Sequence, residues 1–470
     1  MTGKIALNLS FDRGTLLLRG LSREQVAKRF GEALWQWDGR VAAWRTYALH
    51  YAAVRDALLG ADGFVDDVPP PARVAFPEAS LPVLRDQQQQ AVDAWKQSGG
   101  RGMIVMPTGT GKTEVALAAM ADARIATLIV APVRDLMYQW HTRILKRLGY
   151  NAGILGDSQR FIQPVTVTTY DSAYLHMAEL GDRFGLVIFD EAHHLPGGTY
   201  REAAMFCAAP LRLGLSATPH RSDGREVDLP WLVGPTVCEQ FIKHAKGDTL
   251  ADYNVVRIPV KLRDEEQKKY ETAGVQIRDV LVEKRKDNPT YAWENVCAEA
   301  SKDPAARRAM QAFFLRKSIE DRAEEKLRVL EDVFRLHVGE RVIVFAGSNA
   351  MARDVSRRFL VPTLLAHSRK NERRIVLDGF AAGRFPVLVA NRVLDEGVDV
   401  PAAKVAVVIG GQSSARQAKQ RLGRILRRSG NAVATLYEVV VQDTNDVERS
   451  RSRRRSDAYG SAKRWRGNAQ

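Results

Sequence analysis

The segment Met106-Pro107-Thr108-Gly109-Thr110-Gly111-Lys112-Thr113 constrains this chain more than any other. It stands between an apolar run, Gly102–Val105, and a helical pattern, Glu114–Ala123. That setting asks for a parallel α/β sheet with a phosphate-binding loop at a strand's C-terminal end. Glycines let backbone N–H groups wrap phosphate oxygens, and the next helix adds its favourable dipole. Lys112 then reaches the β- and γ-phosphates, the Thr113 hydroxyl ligates Mg²⁺, and Pro107, Thr108, Gly109, Thr110 and Gly111 form the cradle. Met106 departs from the glycine that the strict pattern puts first.

A second group follows 78 residues after Lys112, where Asp190-Glu191-Ala192-His193 ends the apolar run Leu186–Phe189. A carboxylate at a strand's C-terminal end is well placed to hold the metal, here Asp190 through water. Glu191 then orients and activates the attacking water. Much later comes the cationic run Arg421-Leu422-Gly423-Arg424-Ile425-Leu426-Arg427-Arg428. Arg424 and Arg427 are three apart and share a helix face. A guanidinium there suits the negative charge that develops on a γ-phosphate, while a solvated basic helix has the same composition.

The apolar runs Gly102–Met106, Ala126–Ala131, Val165–Thr169, Leu186–Phe189 and Leu211–Leu215 alternate with helical stretches, as in a parallel sheet covered on both faces. A second set, Arg341–Phe345, Thr363–Leu365, Val387–Ala390, Val405–Ile409 and Thr435–Val441, predicts a second such domain. The expected organisation of the 470 residues is a small N-terminal domain (1–75), a first ATP-binding α/β domain (76–239), a helical insertion (240–320), a second α/β domain (321–445) and an irregular basic tail (446–470). The N-terminal part opens with a hairpin around Asp12-Arg13-Gly14-Thr15 and a possible helix, Ser22–Leu34. Asp66–Pro71 reads as a stiff linker. Trp35, Trp37 and Trp44 suit either a small core or base stacking, and Tyr291 and Trp293 either packing or a duplex wedge.

Charge is unevenly spread. Residues 1–240 carry 25 basic and 25 acidic side chains, and the rest carry 45 and 30, so the net +15 lies in the second half. Such asymmetry suggests a polyanion partner. The run Arg449–Arg455 could touch phosphate or end in solvent. No apolar run approaches the roughly 18 residues of a membrane span. Cys207, Cys238 and Cys297 form no CxxC pair, which excludes a disulfide framework, a zinc finger and a four-cysteine cluster. The expected location is cytoplasmic, associated with the nucleoid.

The ordered motifs Gly109–Thr113, Asp190–His193, Ser216-Ala217-Thr218 and Gln420–Arg427 resemble those of superfamily-two helicases. The resemblance runs over Leu84–Arg428 and takes in Leu84–Gln88, Ala131–Leu136, Thr168–Ser172, Val342–Phe345 and Leu394–Asp399. Within that superfamily, Thr169–Tyr174, Ile188–Leu195, Val393–Pro401 and Ser414-Ala415-Arg416 ahead of Gln420 look most like the XPB family, especially its short archaeal and bacterial members.

The resemblance implies two RecA-like parallel-sheet domains, a small N-terminal damage-recognition-like domain and a helical thumb-like insertion. It implies ATP and Mg²⁺, and 3′-to-5′ movement on DNA (single strand and fork or duplex) with duplex opening, in repair. A nuclease partner is implied among archaeal members. Arg85 and Gln88 would lie at adenine, and Gly397 and Asp399 near the ribose. Gln420, Arg424 and Arg427 would complete catalysis. Arg134, Thr168 and Thr169 would hold the strand, and Ser216, Thr218, Arg221 and Asp223 would couple it to the nucleotide. Two departures stand out. Arg221-Ser222-Asp223 lacks the central glutamate of the family's Arg-Glu-Asp element, and Gln87 replaces an aromatic residue. The altered element favours, as the rival reading, a duplex translocase that does not separate strands.

Overall fold

The computed structural model describes residues 7–107, 109–217, 223–240, 253–365, 367–391, 403–410, 434–454 and 463–464. The chain divides into two units, Met1–Phe241 and Ile242–Gln470. Among the described residues the strands form three sheets.

The first sheet holds β1 (Asn8–Asp12), β2 (Thr15–Arg19), β3 (Gln36–Asp38), β4 (Ala43–Tyr47) and β5 (Val65–Asp66), in the order β3-β4-β2-β1-β5. The expected hairpin joins β1 to β2. Its turn residues Arg13 (φ 48°) and Gly14 (φ 83°) are both left-handed, the conformation a two-residue turn needs to match strand twist. Ser22 caps the helix Arg23–Phe30, and Gln25 answers it in a capping box. Trp35 is buried in the core with Leu9, Leu16, Leu18 and Leu58. Trp44 donates to the Leu21 carbonyl at 3.0 Å, whereas Trp37 is half-exposed against Trp44's edge.

The proline run is not a free linker. Val68 is buried, and just beyond Pro71 the Ala72 carbonyl accepts from Ala126 N–H at 2.8 Å. Val74 N–H donates to Arg124 O at 3.0 Å. The prolines therefore lead directly into the next layer, beside Arg124 and Ala126.

That layer contains β6 (Arg101–Val105), β7 (Thr127–Ala131), β8 (Gly153–Gly156), β9 (Gln159–Phe161), β10 (Val165–Thr169), β11 (Leu186–Asp190), β12 (Leu211–Ser216) and β13 (Thr236–Glu239). Their order is β13-β6-β12-β11-β7-β10-β8-β9, and only the β8–β9 pair is antiparallel. Every residue of β7, β10 and β11 is buried, which is why β7 and β11 read as nearly continuous apolar runs, while β10 buries three threonines among its five residues. The C-terminal ends of β6, β12 and β11 are neighbours, and all the chemistry of this unit collects there.

The second unit has β14 (Tyr253–Val260), β15 (Val342–Phe345), β16 (Thr363–Leu364), β17 (Val387–Ala390), β18 (Val405–Val408), β19 (Ala434–Val441) and β20 (Lys463–Arg464). The order is β16-β17-β15-β18-β19-β14-β20, with every pair parallel. The expected helical segment 240–320 is helical from Asp264 onward, as Asp264–Asp287, Trp293–Glu299 and Pro304–Arg322. Before it, β14 pairs with β19 over eight residues and buries Val255, Ile258 and Val260. Tyr291 is buried and donates to Glu299 Oε2 at 2.8 Å, while Trp293 packs on Phe313 with ring centroids 4.8 Å apart. Packing, and not a wedge, describes Tyr291.

The basic tail is corrected as well. Asn445–Arg454 is a helix, and β20 extends the sheet beside β14. The helix buries charge in place of apolar side chains. Lys326 Nζ lies 2.9 Å from Asp446 Oδ2, with both side chains fully buried. Arg449 reaches Glu320 Oε2 at 2.5 Å, and Ser450 donates to Glu438 Oε2 at 2.9 Å. Arg449, the first arginine of the run, is thus an internal residue. Among the described residues no helix is long and apolar enough to cross a membrane.

Candidate nucleotide site

The loop after β6 bends through two left-handed glycines, Gly109 (φ 87°) and Gly111 (φ 89°). A Cβ on Gly111 would lie 2.3 Å from Gln88 Nε2, so the position is closed to any other residue. Gly111 precedes the helix Lys112–Ala123. Lys112 is buried and donates from Nζ to the Met106 carbonyl at 3.0 Å, spanning the mouth of the loop. Thr110 is buried and donates to Pro107 O at 2.7 Å. Thr108 lies outside the described residues.

Arg85 and Gln88 brace this loop. Gln88 Nε2 donates to Thr110 O at 2.9 Å, and Arg85 Nη2 donates to the same carbonyl. Gln88 Oε1 accepts from Arg85 N–H at 3.0 Å. Both ends of the Gln88 amide are thus engaged by protein, where the sequence had suggested adenine. Gln87 accepts from Gln240 Nε2 at 2.8 Å, an amide pair in place of an aromatic face.

Asp190 ends β11 and is buried. Its Oδ2 accepts from Trp140 Nε1 at 2.8 Å and its Oδ1 from Glu191 N–H at 3.0 Å. Burial, then the charge of Glu191, pushes its carboxyl up to about 6. Trp140 and Lys112 pull the other way. Glu191 adopts a left-handed backbone (φ 48°), uncommon for a residue with a side chain. Its Oε2 is buried 3.4 Å from His193 Nδ1 and accepts no hydrogen bond among the described residues. Arg143 Nη1 donates to Thr113 Oγ1 at 2.7 Å.

The donor set fits ATP and Mg²⁺. The two left-handed glycines and Lys112 suit anionic oxygens, and the adjacent carboxylates of Asp190 and Glu191 suit a cation. Mg²⁺ takes few protein ligands beside phosphates and water, and Thr113 and Asp190 are the residues that would hold it.

Ser216 ends β12 and joins the motifs. Its carbonyl accepts from Met106 N–H at 3.0 Å and its Oγ lies 3.2 Å from His193 Nδ1. Arg134 is exposed at the start of the helix Arg134–Leu148 and pairs with Asp157 at 2.8 Å. Thr168 is fully buried and donates to Leu155 O at 2.8 Å, and Thr169 caps the helix Tyr170–Leu180. Both hydroxyls are taken up inside the domain, Thr168 by Leu155 O and Thr169 by its helix cap. Asp223 Oδ1 accepts from Arg225 N–H at 3.3 Å. Thr218, Arg221, Gly397, Asp399, Gln420, Arg424 and Arg427 lie outside the described residues. Trp140 and Arg143 were not singled out from the sequence, because only the fold brings them to Asp190 and Thr113.

A phosphate loop and a buried acidic pair at the C-terminal edge of one parallel sheet, with a second parallel sheet downstream, define a helicase-type nucleoside triphosphatase. Family models agree: the Type III restriction enzyme, res subunit matches residues 81–221, and the Helicase conserved C-terminal domain matches 325–429. The Xeroderma pigmentosum group B helicase damage recognition domain matches 9–68. The chain is 39% identical over 426 residues to the DNA 3′-5′ translocase XPB2 of Sulfurisphaera tokodaii, covering 89% of this chain and 95% of the relative. It is 32% identical over 386 residues to the DNA 3′-5′ helicase XPB of Kineococcus radiotolerans, covering 79% of this chain and 62% of that longer protein. The Pyrococcus furiosus Hef helicase domain has the same fold, at 18% identity and a TM-score of 0.50, covering 78% of this chain and 98% of that one. Yeast Dbp5 shares it too, at 17% identity and a TM-score of 0.54, over 83% of this chain and 94% of the other. The chain belongs to the XPB family of helicases.

Proposed function

We propose that this chain is an ATP-dependent 3′-to-5′ DNA helicase and translocase that couples ATP hydrolysis to movement on DNA and duplex opening, in DNA repair. The observation that carries the reading is the meeting of three motifs at adjacent strand ends. Met106 bonds to Ser216, Ser216 touches His193, and Asp190 and Glu191 stand beside them.

Lys112 and the loop N–H groups hold the β- and γ-phosphates. Glu191 takes the proton of the attacking water, and its left-handed backbone turns the carboxylate into the site. Bound Mg²⁺, held by Thr113 and Asp190, would neutralise charge developing on the phosphate oxygens. The buried Ser216–His193 contact passes the state of that carboxylate to the loop entrance. Arg424 and Arg427 serve as the second domain's guanidiniums, and Arg427→Ala is expected to slow hydrolysis by about 10³–10⁵. DNA contacts begin at Arg134, and a nuclease is the natural partner for an opened strand.

Ser222, in place of the family's glutamate, favours a second reading: DNA-stimulated translocation without strand separation. The two are separated by strand displacement on 3′-tailed and 5′-tailed duplexes, with ATP consumption followed in the same reactions and Lys112→Ala as the blank. Displacement confined to the 3′-tailed duplex supports the helicase. Stimulated ATP consumption without displacement supports the translocase, and neither signal overturns both.

A further inference from the structure

The helix Arg134–Leu148 makes contacts that the nucleotide-site motifs do not account for. Its N-terminus presents Arg134 to solvent. One stripe further along carries Trp140, Arg143, Ile144 and Arg147, at the spacing of residues sharing a helix face. Trp140 is buried and donates its indole N–H to Asp190 Oδ2 at 2.8 Å. Arg143 donates to Thr113 Oγ1 at 2.7 Å. Arg147 lies 3.8 Å from Glu114, on the helix that begins with Lys112. Ile144, fully buried among these contacts, fixes the stripe in the core.

Two of those contacts fall on the two residues that would hold Mg²⁺, and their electrostatic senses are opposite. The Trp140 N–H is a neutral donor to a carboxylate. It fixes the direction of the Asp190 carboxylate. The Arg143 guanidinium is a permanent positive charge on the Thr113 oxygen. A divalent cation at that oxygen is opposed by it, because like charges repel and the guanidinium takes up one of the oxygen's two acceptor positions.

We propose that the helix Arg134–Leu148 sets the metal site: Trp140 positions Asp190 for Mg²⁺, and Arg143 competes with the cation for the Thr113 hydroxyl. This rests on the ATP-driven motor reading above. Trp140 and Arg143 are positioning residues, since they act through Asp190 and Thr113.

The test is Mg²⁺-dependent binding of a fluorescent ADP by the full chain, with metal-free ADP affinity as the internal reference. Removing Arg143 (Arg143→Ala) is expected to raise apparent Mg²⁺ affinity about tenfold, the scale of one hydrogen bond to a charged group. Arg143→Lys keeps the positive charge and stays near wild type. Trp140→Phe keeps the apolar volume and is expected to lower Mg²⁺ affinity about tenfold, for loss of the same kind of bond.

Shifts of the two variants in the same direction, or no shift while the far-UV circular dichroism stays native, overturn the assignment. If DNA stimulates wild-type ATP hydrolysis while neither variant shifts Mg²⁺ affinity, this inference fails and the motor reading stands. If DNA stimulates no hydrolysis, the motor reading itself fails.

Discussion

Asp190 in the first unit and Asp446 in the second are both buried carboxylates, but their surroundings differ in kind. Asp190 has another acid, Glu191, as its neighbour, and burial with that charge pushes its carboxyl up to about 6. Asp446 meets Lys326 at 2.9 Å in a pair with no exposed side-chain surface, and it also accepts from Val441 N–H at 3.2 Å. Close by, Glu320 receives Tyr270 at 2.7 Å and Arg449 at 2.5 Å. The first unit leaves buried negative charge uncompensated where a substrate and a cation can answer it. The second compensates its buried charge internally, and so fastens the helices Asp264–Asp287, Pro304–Arg322 and Asn445–Arg454 to one another. At Asp190 neutral hydrogen bonds and an adjacent acid mark the reacting site, and at Asp446 an ion pair marks a joint.

Substitutions at the two places should therefore act with opposite sign. The largest effect is expected for Lys326→Met, which strands Asp446 and destabilises the second unit by about 3–5 kcal/mol. Urea unfolding checks this, and adding Asp446→Leu should restore most of the loss. A double variant no more stable than Lys326→Met would break the comparison.

Asp190→Asn should go the other way. The folded carboxyl titrates near 6, above its ordinary value, so the folded state holds the proton across roughly pH 4–6. Stability then falls as pH rises through that window and stays low above it. Without metal at pH 7 the substitution is expected to relieve the cost of the buried charge, partly offset because the amide turns its NH₂ toward one of the two donors, Trp140 Nε1 or Glu191 N–H, and to flatten that slope, while ending turnover. Thermal denaturation at pH 4, 5, 6 and 7 reads both. The smallest effect sharpens the scale: Ser22→Ala removes one exposed helix cap and should cost about 1 kcal/mol, measured as a shift in unfolding midpoint.

What the sequence made legible follows the same division. Strands β7 and β11 are buried along their whole length and almost wholly apolar, so hydrophobicity alone outlined them. The loop Met106–Thr113 was readable because a phosphate cradle needs glycines in a fixed setting. The helix Asn445–Arg454 was hidden. Its buried face is Asp446 and Ser450, charged or polar, and its partners Lys326 and Glu320 are more than 100 residues away. Strand β14 was missed for a related reason, since Arg257 and Pro259 interrupt its apolar residues and dense charge follows it. At the site, the motifs marked Lys112, Asp190 and Glu191. Local pattern could not reveal that Gln88 braces the loop, that Thr168 is buried, or that Trp140 and Arg143 reach the metal ligands.

The central claim is that Asp190 and Glu191 form the reacting half of an ATP site cradled by Lys112. The most direct measurement compares ATP binding and DNA-stimulated hydrolysis in wild type and Glu191→Gln, side by side. Retained ATP affinity with hydrolysis reduced to background is the expected result, because Gln keeps the shape but cannot take the proton. Hydrolysis by Glu191→Gln at the wild-type rate would contradict the account.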